Sequence, residues 1–202
     1  MLPDAGLQRG RVIGCSGAAA WSIALGLISR AVCTGSWVAF VGAPMVGLEA
    51  AGEFGVPLAR VVLVDVDGNS SVWAERVAAA ADGFDLIVTC PPVGAERVVR
   101  RVRQRLQARG VVLVAVSATT PSLACDLELT STSVAWAGIG QGAGHLMARR
   151  VTLQVAGRRM PRPVERELLL PCPNGRLRPV DPEHGTDDDS DRTDELELGR
   201  AV

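Results

Sequence analysis

Short apolar runs rich in β-branched residues alternate along the first 120 residues with Ala-rich stretches of helical composition. The runs at 11–15, 36–41, 60–66, 84–90 and 111–116 read as strands, because continuous Val, Ile and Leu over four to seven positions suit a strand buried on both faces. Between them, 18–31, 45–54, 70–81 and 94–108 read as helices. Strand and helix taking turns predicts a parallel sheet covered on both sides. After residue 122 the period changes to two: 125–132, 145–156 and 164–170 alternate polar and apolar, as antiparallel strands wet on one face do. The expectation is an α/β core followed by an antiparallel β extension, together spanning 1–180. Residues 181–202 carry too little apolar surface to fold alone and are expected to be a disordered acidic tail.

Composition removes several kinds of chemistry. The chain has no lysine; all 21 of its basic residues are arginine. A standard P-loop needs the lysine of GxxxxGK[ST], and Schiff-base catalysis needs an amine. Only two histidines, His145 and His184, are present, which leaves little for a histidine-rich metal site. Five cysteines without a CxxC pair fit a reducing compartment, so a cytoplasmic protein is expected. The apolar stretch 18–28 is too short to span a bilayer. Charge divides unevenly: 1–180 holds 19 arginines against 13 acids, and 181–202 two arginines against nine acids.

Chemistry, if present, belongs where the first strand ends in Gly14-Cys15-Ser16-Gly17 and a helix begins, the place a doubly wound fold offers to phosphate. The side chains do not support it. Ala18-Ala19-Ala20 follows where Gly-Lys-Thr is needed, Gly42-Ala43-Pro44 offers no carboxylate, and the strand 84–90 ends in Thr89-Cys90 where a magnesium-binding aspartate would stand. Asp85 lies at the wrong end of that strand. No catalytic residue, cofactor or metal is therefore expected.

The order of segments resembles the RecA core: Gly35-Ser36-Trp37-Val38-Ala39-Phe40-Val41, then Leu48-Glu49-Ala50-Ala51, then Phe54-Gly55-Val56-Pro57-Leu58-Ala59-Arg60 entering the next strand. The remainder, with Trp136-Ala137-Gly138-Ile139-Gly140, Gly142, Gly144, Arg149-Arg150-Val151, Gly157-Arg158-Arg159 and Leu169-Leu170-Pro171, is similar to actinobacterial ImuA-type (ImuA-prime) mutasome proteins. The resemblance implies a RecA-like fold and a non-catalytic accessory role in DNA-damage-induced mutagenic translesion synthesis. It implies as partners an ImuB-type Y-family polymerase homologue lacking catalytic residues and an error-prone replicative-type polymerase, with DNA met directly or through them. The alternative reading is an atypical RecA-like enzyme that binds or hydrolyses nucleotide with Arg11 or Arg30 in place of lysine. Arginine, bulkier and planar, fits such a loop poorly.

Three stretches compete with plainer readings. Arg97, Arg101 and Arg105 recur four apart, as a stripe that follows a phosphate backbone would, or as a solvated helix face. The glycine-spaced stretch 136–144 reads as a mobile contact loop or a hairpin connection. Val164, Leu168 and Leu170 form an apolar edge and Leu196 and Leu198 a tail anchor, either for a protein partner or for closing the sheet and keeping the chain soluble. Trp21, Trp37 and Trp73 are expected in the core.

Overall fold

The computed structural model describes residues 6–67, 69–119, 123–137, 148–158, 160–170 and 178–179. Among the described residues, nine strands form one mixed sheet in the order β3-β2-β4-β5-β1-β6-β7-β8-β9. Its central strands are β1 (Val12–Gly17), β2 (Val38–Val41), β4 (Leu86–Thr89) and β5 (Val112–Ser117), with β3 (Val61–Val64) at one margin. Every residue of β2 and β4 is buried, as their unbroken apolar runs require. The helices α1 (Ala20–Cys33) and α2 (Leu48–Glu53) pack on one face with Ile13, Cys15, Phe40, Val88 and Val114. On the other, α3 (Ser70–Ala80) and α4 (Val99–Arg109) pack on Val12, Ala39, Val41, Ile87 and Leu113. Asn69 starts α3 by accepting the Ser71 and Val72 N–H groups, and Gly110, left-handed at φ +68°, ends α4.

The β extension differs from expectation in its first strand. β6 (Leu127–Ala137) runs parallel to β1, making a sixth parallel strand; the direction reverses only at β7 (Ala148–Gly157), and again at β8 (Val164–Leu170) and the two-residue β9 (Arg178–Pro179). Parallel pairing forces the chain back along the sheet between β5 and β6, and it does so in the nine residues 118–126. Nine extended residues reach about 30 Å, enough to cover a six-residue strand of about 20 Å. Leu123 and Cys125 bury themselves beside α4 on the way.

Among the described residues, only the α1 side of β6–β8 is covered. Leu129, Val151, Leu153, Val155, Leu168 and Leu170 point there, while Glu165, Glu167 and Arg150 lie exposed on the opposite face, where Arg150 pairs with Glu167 at 3.4 Å. This is the alternation read from the sequence. Trp73 is fully buried and Trp21 half-buried, but Trp37 is 43% exposed. It precedes β2 instead of lying inside it, and Arg60 stacks over its ring at 5.7 Å. The described residues contain no helix long and apolar enough to cross a membrane.

Candidate functional site

At the β1–α1 turn the backbone has the form of an anion site and the contents of a core. Gly17 has φ +87°, and a Cβ there would lie 2.4 Å from both the carbonyl oxygen and Oγ of Ser131, so glycine is required for conformation and for space. Ser131 reaches in from β6. Its Oγ accepts the Ala19 N–H at 3.0 Å and donates to the Ser16 carbonyl at 3.1 Å, and Ser16 Oγ lies 2.9 Å from Thr130 Oγ1. Ala19 has no side-chain oxygen with which to cap α1; the cap comes from a strand 112 residues later. Ser16 and Ser131 are buried. A neutral hydroxyl thus takes one of the free N–H groups at this helix N-terminus, the end of a helix that attracts anions.

The neighbouring strand ends are committed to structure as well. Thr89, at the end of β4, is fully buried, and its Oγ1 accepts the indole N–H of Trp73 at 2.7 Å. Asp85 accepts the Trp37 N–H at 3.1 Å at the opposite end of the sheet. Arg11 precedes β1, far from the turn that follows that strand, and lies 3.6 Å from Asp126. Arg30 sits in the last turn of α1. Neither is at the turn.

Arg97, Arg101 and Arg105 do not form one helical stripe. Arg97 belongs to a 3-10 turn, Ala95–Arg97, that ends before α4 begins, and Arg105 is taken by Asp82 at 2.5 Å. Asp82 also holds Arg109 at 3.0 Å, and hydrogen bonding from Arg105 leads in keeping its carboxyl below the usual range. Arg103 donates to Asp126 at 2.7 Å and to the Ala124 carbonyl. Asp126 is a junction that sequence reasoning missed: it also accepts the Val12 N–H at 2.9 Å, tying β1, α4 and β6 together. Arg97, Arg100 and Arg101 are exposed and, among the described residues, make no ion pair, although Glu96 precedes Arg97.

Leu168 and Leu170 are fully buried beside β7 in the core cluster that includes α1, so their side chains are unavailable to a partner; Val164 is half-buried. Alternation of VERELLL gives the reason, since every second residue must turn into the core. Leu196, Leu198, His145 and most of the 136–144 stretch lie outside the described residues. Burial pushes the Cys125 thiol up to about 12 and raises Cys15 further, so both act as small core residues. No described group of three His, Cys, Asp or Glu side chains is placed to hold a metal.

Ser131 had only a weak signal in sequence. The run Thr130-Ser131-Thr132-Ser133 reads as polar strand positions, and nothing local says that one hydroxyl reaches a distant helix.

Residues 1–122 match the family model described as the MT3502 N-terminal domain. The chain is also similar to Uncharacterized protein Rv3395c of Mycobacterium tuberculosis (strain ATCC 25618 / H37Rv), at 32% identity over 150 residues, covering 68% of this chain and 69% of that one.

Proposed function

The chain belongs to the MT3502 N-terminal domain family, and we propose that it is a non-catalytic RecA-like accessory protein of a DNA-damage-induced mutagenic translesion-synthesis complex. It works by protein contact, with an ImuB-type inactive Y-family polymerase homologue and an error-prone replicative-type polymerase as its partners. One observation carries the non-catalytic part: Ser131 packs into the β1–α1 turn and takes one of the helix-start N–H groups that a phosphate loop keeps free. A parallel core with strands of reversed direction added after it supports the RecA-like part. The partners rest on the resemblance of the motifs between Gly35 and Leu170. Any direct contact with DNA falls to Arg97, Arg100 and Arg101, which the acids leave unpaired.

Two measurements on the full chain test this. Magnesium-ATP should leave the melting temperature unchanged and release no phosphate above a buffer blank; a ligand-dependent rise in melting temperature together with turnover overturns the non-catalytic assignment. Co-expression with the inactive Y-family homologue should give a complex that survives purification, and its absence overturns the partner assignment. Removing 181–202 separates a tail contact from one on the folded body. Ending the chain at 163 does not, because it deletes the buried Leu168 and Leu170.

A further inference from the structure

The two margins of the sheet are built differently. Along β8, charged Glu165, Arg166 and Glu167 follow Pro163, and β9 pairs over Leu168 and Leu169. Charge, proline and a short covering strand are the devices that keep a sheet edge from pairing with another chain. β3 has none of them. It pairs with β2 alone, its four residues are Val-Val-Leu-Val, and its register with β2 runs without a bulge. Leu63 is 51% exposed in mid-strand, Leu58 stands exposed in the turn before it, and the exposed Trp37 ring stacks under Arg60 where the strand begins. The Val64 carbonyl accepts the Gly42 N–H and turns alternate backbone groups to β2, so Val61 and Leu63 direct theirs outward along an apolar edge.

The ends of the strand point to its occupant. Arg60 stands before β3, and Asp65 and Asp67, both exposed and without an ion pair among the described residues, stand after it. Parallel addition of a second β3 would set like charge beside like; antiparallel addition sets arginine beside aspartate at both ends. A two-fold axis normal to the sheet requires one residue to face its own symmetry mate. With Leu63 at the axis, Val62 faces Val64 of the other copy, and Arg60 falls between Asp65 and Asp67 of the other copy.

We propose that β3 is a self-association edge, on which two copies of this chain pair β3 against β3, antiparallel about Leu63, and join their sheets into one. The pairing satisfies both free edges at once and covers Leu63 with its mate.

Light scattering on the eluting full chain tests it. The wild-type mass should rise with concentration towards twice the 21.2 kDa of the chain. Leu63→Arg, which sets two charges face to face at the axis, should hold it at the monomer, with an unchanged far-ultraviolet spectrum because Leu63 is exposed. Arg60→Asp alone and the double variant Asp65→Arg/Asp67→Arg should each be monomeric, since each puts like charges at both ends. Mixing these two variants should restore the doubled mass, because opposite charges then meet at each end. A wild type that stays monomeric at every concentration overturns the proposal, as does a dimer indifferent to Leu63→Arg or a mixture that fails to associate.

Discussion

Thr89 shows how a single position can be read correctly for what it lacks and missed for what it does. The sequence reveals that no aspartate ends β4; it does not reveal that the threonine hydroxyl is the acceptor for a fully buried indole. Replacing it with the near-isosteric Val removes that acceptor and strands the Trp73 N–H, which costs about 1–3 kcal/mol. Urea denaturation of Thr89→Val should show that loss, and Thr89→Ser, which keeps the oxygen, should lose less. Equal stability of the valine variant and the wild type would mean that the hydrogen bond contributes nothing net. Trp73 was legible as core from its neighbours Val72 and Ala74, whereas Trp37, which follows Ser36 and leads into an apolar run, is exposed. The difference is one of position: Trp37 precedes β2 and lies outside the sheet's buried strand positions, with Arg60 over its ring.

Between elements, the pair α3 and α4 is tied at one end by Asp82, which lies just past α3 and binds Arg105 and Arg109 of α4. Its pKa is lowered in the folded protein, so the stabilisation it gives is present above the unfolded carboxylate value and is lost as pH falls through the folded one. Comparing Asp82→Asn with the wild type by chemical denaturation should give a difference near neutral pH that disappears in acid. A difference constant across that range would assign the effect to something other than the charge. The same residue explains why the arginine stripe misled. Order and kind of each α-helix and strand up to β5 were legible, because each rests on periodicity within itself; their ends shifted by a few residues, most for α4, which begins at Val99 after the 3-10 turn Ala95–Arg97. Which arginines are free depends on one acid, Asp82, 23 and 27 residues away in sequence from Arg105 and Arg109, and no helical period carries that information.

At the scale of the whole molecule, the parallel core is closed by residues that the family match does not reach. The match ends at 122, yet β6 pairs along β1, Asp126 takes the Val12 N–H from 114 residues away, and Ser131 completes α1. A 1–122 fragment therefore leaves one side of β1 unpaired and should show no cooperative urea transition, while 1–180 should unfold in one step. A cooperative, native-like 1–122 fragment would show β6 to be an addition and not a part of the core. Two long-range contacts at the very start of the chain also set an order in time. As the polypeptide leaves the ribosome, α1 and β1 emerge early and wait with an open N-terminus and an open strand edge until the segment around 126–131 has followed. The first helix to be made is among the last to be finished.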